Sequence, residues 1–260
     1  MARDLDVRTV VQDVRSGLDE AAGCVDAVAG GIDAVLGHLP EGAAVDGARA
    51  GVAELHRRFT AIADQLREIV ARGGDPAALR HAGAVWALRV GGTTSGIAAL
   101  STPTITRADD HWTGIAADAY RSSLPAQHAA LLAIKTTGDE IDAALTDLAN
   151  ALTTFWAEIS VALANLIAAL VAAAVSATTA VGAPTAVGFA LAALGIFAAA
   201  AKSTISALTA VAANAASRAA QLERRLSNDA AFPHGGWPRS TTALTDASVL
   251  DGDDADWHVR

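Results

Sequence analysis

Apolar residues recur at alternating spacings of three and four along most of this chain of 260 residues. The first stripe runs from Val7 to Leu39, and the second runs from Val45 to Ile69. This spacing places apolar side chains on one face of a helix. Because Pro40 cannot continue a helix, the two helices meet at a short turn, and the pattern predicts an antiparallel hairpin.

A third helix is predicted over Ala77–Val90. Asp75 is expected to cap it and Pro76 to occupy its first position, because the Asp side chain accepts from a free N–H and Pro lacks one. We expect the segment Gly91–Gly96 to interrupt this helix, since glycine lowers helix propensity.

A longer apolar stripe follows from Tyr120 to Ile159. Pro125 lies inside it and removes one backbone hydrogen bond, so a kink is expected there. Thr136–Asp139 is expected to form either a second point of local flexibility in the helix or a break into two helices. The amphipathic pattern returns over Ser203–Leu226.

Between Glu158 and Lys202 lie 43 residues without a charge, divided by Gly182-Ala183-Pro184. Two interpretations remain open: a helical hairpin that spans a membrane, or two helices buried on most sides within a bundle or oligomer. In either case, the large apolar residues of this stretch are candidates for contact with a membrane or a partner. They are Ile159, Leu163, Leu166, Leu170, Phe189, Leu194 and Phe197.

Composition narrows the class of protein. Hydrophobic residues make up 52% of the chain and aromatic residues only 4%. The abundance of alanine favours closely packed helices over sheets. A net charge of −9 argues against nucleic-acid binding, which needs a basic surface. Cys24 is the single cysteine, so no intrachain disulfide is expected. The N-terminus lacks the apolar run of a Sec-type signal peptide.

No pattern of catalytic or metal-binding residues stands out. The seven histidines do not occur at the spacing of a zinc-binding helix, and there is no phosphate-binding loop or nucleophile elbow. Asp109-Asp110-His111 is better explained as a helix cap than as a metal site. We therefore predict no enzymatic activity, no cofactor and no bound metal.

The segment Trp112-Thr113-Gly114 joins the third helix to the long stripe. Glycine reaches backbone angles closed to other residues, and an indole can pack between two helices. The spacing thus predicts a turn between helices with one anchoring aromatic.

Together with Ala116-Ala117-Asp118-Ala119-Tyr120, this segment resembles the turn of the WxG superfamily of type VII (ESX) secretion substrates. The resemblance covers roughly residues 79–170, and Trp112 and Gly114 carry over as motif positions. It implies a helical hairpin with W-x-G at its tip and export without a signal peptide. Family members or their partners often carry Y-x-x-x-D/E as part of the export signal, whereas here Leu124 stands four residues after Tyr120, the single tyrosine.

The sequence as a whole predicts an all-α protein, an elongated antiparallel bundle of long helical hairpins. The expected parts are an N-terminal hairpin (1–74), a WxG-like hairpin (75–158), an apolar helical pair (159–227) and a disordered acidic tail (228–260). The first hairpin is expected to pack against the helices around Trp112. Trp237 and Trp257 are unusual in such a tail and are candidate anchors onto the bundle or a partner.

The function expected from the resemblance is that of a non-enzymatic protein of a type VII secretion system, handled as a folded helical unit and acting by helix–helix binding. Its partners would be other helical secretion-system proteins or further copies of itself, and a membrane is a further candidate. It would be cytoplasmic before export, then secreted or on the cell surface. The alternatives are a membrane-inserting or pore-forming protein that uses residues 159–201, or a chaperone for a separately encoded toxin.

Overall fold

The computed structural model describes residues 7–102, 112–179, 182–227, 230–238 and 258–259. Over these residues the protein is an all-α helical bundle, as its sequence predicts. The helices are α1 (Val7–Leu36), α2 (Ala43–Ala71), α3 (76–100), α4 (Ile115–Ala177) and α5 (Ala183–Leu226).

Helix α3 begins at Pro76, as predicted, and the backbone N–H of Ala77 donates to Asp75 Oδ1 at 2.9 Å. The segment Gly91–Gly96 is not a loop. The regular α-helix is interrupted by a π-helical segment, Trp86–Gly92, and the helix then continues through Thr93–Leu100. Gly91 is buried where α3 meets α4, and a β-carbon on Gly138 would lie 3.3 Å from Gly91 N. Glycine here allows two backbones to approach closely, and that packing outweighs its low helix propensity.

Helix α4 is continuous through Pro125 and through Thr136–Asp139, so the structure has no break at either place. The hydroxyls of Thr136 and Thr137 donate to the carbonyls of Leu132 and Ala133, at 3.0 and 2.9 Å. These hydrogen bonds satisfy both hydroxyls inside the helix. The predicted division before Pro184 is confirmed, since α4 ends at Ala177 and α5 begins at Ala183.

The chain forms two compact units, one of residues 1–77 and 148–211 and the other of residues 78–147 and 212–260. The boundary after residue 77 lies close to the predicted one at 74. A boundary was also predicted between residues 158 and 159, but both residues belong to one uninterrupted helix and to one unit. The N-terminal hairpin shares its unit with residues 148–211, which include the C-terminal part of α4, whereas residues 78–147, including the N-terminal part of α4, belong to the other unit.

In the first unit, α1 and α2 are antiparallel. Arg67 forms an ion pair with Asp19 at 3.2 Å, and His56 Nε2 lies 3.0 Å from Asp26 Oδ1. Against α1, the 148–177 part of α4 runs parallel, because Gly17 faces Leu163 and Gly31, fourteen residues later, faces Ala177.

The 183–211 part of α5 returns antiparallel to α4. The hydroxyl of Thr204 donates to Glu158 Oε2 at 3.0 Å. The core between these four helical segments is formed by buried apolar residues of α1 and α2, such as Leu18, Ile32 and Leu55, and of residues 155–201.

The second unit contains α3, residues 115–147 of α4 and residues 212–226 of α5. Helices α3 and α4 are antiparallel: Gly83 lies against Asp142, and His128 Nδ1 lies 2.9 Å from the carbonyl oxygen of Ala98. Arg218 pairs with Asp147 at 2.8 Å, and a second ion pair joins α5 to α4.

Residues 230–238 of the predicted tail are described by the structure and belong to the second unit. Residues Pro233–Gly235 form a short 3-10 helix, and Gln127 Nε2 donates to the carbonyl oxygen of Pro238 at 3.3 Å. The two-residue strands β1 (Trp112–Thr113) and β2 (His258–Val259) pair antiparallel. Trp237 is 45% exposed, and the prediction for Trp257 falls outside the described residues.

Candidate functional site

The strongest candidate for a functional surface is the apolar hairpin, defined here as residues 159–177 of α4 and 183–201 of α5. Six of its seven predicted contact residues are 2% exposed or less and belong to the core of the first unit. They are Ile159, Leu163, Leu166, Leu170, Leu194 and Phe197. The seventh, Phe189, is 55% exposed. The longest apolar stripe therefore faces α1 and α2. The six buried candidates contact other residues of this chain.

The outward side of the apolar hairpin is also largely apolar, with Asn165 as an exposed polar residue on it, and we call it the outer face. Its large side chains are exposed by 62% at Val161, 47% at Val171, 69% at Val175, 55% at Phe189 and 73% at Ile196. Sequence reasoning missed four of them because they lie off the main stripe. The sequence contained a signal for this second apolar side. Val161 stands two residues after Ile159 and so lies on a different side of the helix.

An open groove of about 610 Å³ runs between the two legs of the apolar hairpin. Its walls are largely small or apolar, including Ala162, Ala169, Ala193 and Ala200. Polar groups lie mainly near one end, where Glu158 accepts the hydrogen bond from Thr204. A groove of this kind fits an apolar chain or a helix, and it offers few groups to orient a polar molecule.

Length and composition alone make two helical stretches suitable for crossing a bilayer, namely Ala117–Ala177 and Thr185–Leu226. Their most apolar windows have mean hydropathies of 2.2 and 1.7. The core helices of a soluble bundle can have the same property, so the exposure of the outer face is the more informative observation.

The W-x-G turn lies between α3 and α4, in the second unit. Gly114 has φ 110°, a backbone conformation that side-chain-bearing residues rarely adopt. The positive φ at Gly114 agrees with the backbone conformation expected of this glycine. The strand pairing places the backbone of Trp112 beside Val259. The side chain of Trp112 and the whole of Asp109–His111 lie outside what the structure describes.

Helix α3, which precedes the W-x-G turn, also exposes large apolar side chains. The exposed fraction is 74% for Leu88, 62% for Leu100, 47% for Ile97 and 43% for Trp86. Several large apolar side chains exposed along one helix make that helix a candidate surface for contact with another molecule. The sequence analysis placed Trp86 and Leu88 in a predicted helix without giving them a role, and Ile97 and Leu100 lie beyond the glycines that were expected to interrupt it.

Among the residues that the structure describes, the ionisable groups with a shifted pKa are Glu54 and Cys24. Over those residues no three His, Cys, Asp or Glu side chains are grouped as metal ligands would be. Hydrogen bonds from Arg57 and Arg58 lower the pKa of Glu54 on the surface of α2. Burial raises the pKa of the Cys24 thiol, with a further contribution from Glu20, so this thiol is a weak nucleophile.

The features described are an exposed apolar face in the first unit, and a glycine with positive φ that follows a helix with exposed apolar side chains in the second. Comparison with protein-family models, with curated proteins and with solved structures finds no match for the chain.

Proposed function

We propose that this chain is a non-enzymatic protein of a type VII (ESX) secretion system, exported as a folded helical unit and acting through helix–helix binding. The observation that carries this proposal is the antiparallel hairpin of α3 and α4, in which Trp112 and Gly114 lie between the helices and Gly114 has φ 110°. Its neighbouring helix α3 leaves Leu88 and Leu100 exposed for a partner helix.

Helix–helix binding follows from the chemistry of that exposed side. A partner helix that covers Leu88, Ile97 and Leu100 would bury apolar side chains, each contributing about 1.5–3 kcal/mol when fully buried. Localisation in the cytoplasm before export, and on the surface or outside afterwards, belongs to the same proposal.

Secretion can be tested by fractionating cells with and without the secretion ATPase. We expect the protein in the secreted or surface fraction only when the ATPase is present. Replacement of Trp112 by Ala should reduce export. A protein that stays in the cytosol in both strains, with no secreted helical protein bound to it, would contradict the proposal.

Binding through α3 can be tested with a matched pair of variants, Leu88→Gln and Arg89→Gln. Both residues are exposed on α3, and both variants carry the same new side chain. Leu88→Gln should weaken capture of the exported partner, whereas Arg89→Gln should leave it unchanged. Equal capture by both variants would show that the exposed side of α3 at Leu88 is not the binding surface.

A second candidate function is membrane insertion, and the outer face of the apolar hairpin favours it. Val161, Val175 and Ile196 are each more than 60% exposed on a hairpin that contains no charged residue. Flotation with lipid vesicles tests this alternative. A chaperone for a separately encoded toxin remains a third candidate, and co-purification with the product of a neighbouring gene would test it.

A further inference from the structure

The apolar hairpin carries a second apolar seam on its outer face. Val161 and Val175 are fourteen residues apart on α4, and Phe189 and Ile196 are seven apart on α5. These are whole heptads, so the side chains on each leg fall on one line along the helix. A helix that is apolar on opposite sides requires an apolar environment on both of them.

Charge is confined to one end of this hairpin. Glu158 and Lys202 bracket the uncharged stretch, and because the legs are antiparallel, with Glu158 bonded to Thr204, both charges lie at the base. At the tip, Thr178 donates to the carbonyl of Val175 at 2.8 Å and Thr185 to that of Gly182 at 2.9 Å. These hydroxyls are already hydrogen-bonded within the chain, which lowers the cost of leaving water.

Hydrocarbon fits these features better than a protein surface does. Helix seams between proteins are normally flanked by charged residues that fix the partner and the register. The described residues of the apolar hairpin include no such charge on any side. The 19 helical residues of each leg (159–177 and 183–201) span about 28 Å, close to the roughly 30 Å of a bilayer core.

The inner face of the same hairpin is covered by α1 and α2. This contact is close and largely apolar, because Gly17 accommodates Leu163, Gly31 accommodates Ala177, and Gly51 accommodates Val187. Helices α1 and α2 are joined to each other by buried apolar residues and by exposed polar contacts such as Asp19–Arg67 and Asp26–His56. The N-terminal hairpin can therefore leave as one piece while its own polar contacts stay intact.

We propose that the outer face is a lipid-contact surface of the folded protein, and that α1 and α2 form a cover that must separate before the apolar hairpin enters a bilayer. This inference rests on the second candidate function. It distinguishes two steps: the outer face binds lipid with the bundle closed, and membrane permeabilisation requires opening. Residues such as Leu163 and Leu166 reach lipid only in the second step.

A disulfide across the cover separates the two steps. A β-carbon on Gly51 would lie 3.7 Å from Val187 Cβ, within the range of natural disulfides. The variant Gly51→Cys/Val187→Cys, made with Cys24→Ala, would lock α2 to α5 when oxidised. We expect the oxidised full-length chain to float with phosphatidylcholine vesicles as the wild type does, but to release no entrapped dye. Reduction should restore release.

Binding through the outer face is tested with Ile196→Gln, and Ala53→Gln on the exposed side of α2 serves as its control. Loss of one large apolar contact should weaken vesicle binding by about tenfold for Ile196→Gln, with no change for the control. Circular dichroism of both variants confirms that each is folded.

Three results would overturn the inference. The first is wild-type protein that does not float. The second is a locked protein that releases as much dye as the reduced one. The third is a dimer in analytical ultracentrifugation that Ile196→Gln dissociates, which would assign the outer face to a second copy of the chain. A protein that is exported in an ATPase-dependent manner and fails to float would keep the leading function and refute only this inference.

Discussion

The contact between α2 and α5 at Gly51 gives the sharpest test of the first unit. A β-carbon at this position would lie 2.5 Å from Val187 Cγ1, about 1 Å inside a normal carbon–carbon contact. Val187 is buried, and a β-branched side chain in a helix has one strongly preferred rotamer, so it cannot turn aside. Gly51→Ala should therefore incur an overpacking cost of about 1–3 kcal/mol.

Gly47 provides the control for helix propensity. It lies on the exposed side of the same helix, with open space where a β-carbon would be. Both Gly→Ala changes gain about 0.5–1 kcal/mol of helix propensity, so Gly47→Ala should be more stable than the wild type. Since that gain cancels in the comparison, Gly51→Ala should be less stable than Gly47→Ala by about 1–3 kcal/mol.

Urea unfolding followed by circular dichroism measures both free energies of unfolding. The cost of Gly51→Ala should disappear when it is measured in a Val187→Ala background, by comparing the double variant with Val187→Ala alone. The methyl group that clashes is then absent from both proteins. Equal stabilities for Gly47→Ala and Gly51→Ala, or a cost at Gly51 that persists in the double variant, would refute the close contact between α2 and α5.

Four further outcomes are expected. Leu166→Ala should lower the free energy of unfolding by about 2–5 kcal/mol, whereas Val161→Ala should change it by less than about 0.5 kcal/mol, as thermal or urea unfolding would show. Gly114→Ala should cost about 1–3 kcal/mol because φ is 110°, while Gly96→Ala, inside α3 with open space around it, should not destabilise. The pKa of Glu54 lies below its ordinary value, so its contribution to stability is present above the unfolded-state pKa and is lost as pH falls through the folded-state pKa. A carboxyl NMR titration should show that lowered midpoint, and Arg57→Gln with Arg58→Gln should return it towards normal. Cys24 should react with iodoacetamide more slowly at mildly alkaline pH than a free thiol does, because its pKa is raised; an equal rate would contradict its burial.

The helices themselves are determined by local sequence. The alternation of three and four places Leu18, Val25 and Ile32 on one side of α1, and all three are buried. Asp75 and Pro76 start α3 because a cap needs only a side-chain oxygen and the first helical position needs no N–H. The freedom of glycine likewise identifies Gly114 as a turn residue before any neighbour is known.

Other features depend on which helices pack together. Gly91 was expected to end a helix, yet it lies within one. A β-carbon on Gly138 would lie 3.3 Å from Gly91 N, so the close approach of α3 to α4 favours glycine at this contact. Periodicity shows that one side of the apolar hairpin is buried, but not by what, nor that the other side stays exposed. The packing of α1 and α2 placed Leu163 and Leu166 in the core and left Val161 and Ile196 outside. An apolar pattern is satisfied equally by core, partner or lipid, because burial of apolar surface is not directional, so only the tertiary structure assigns each face.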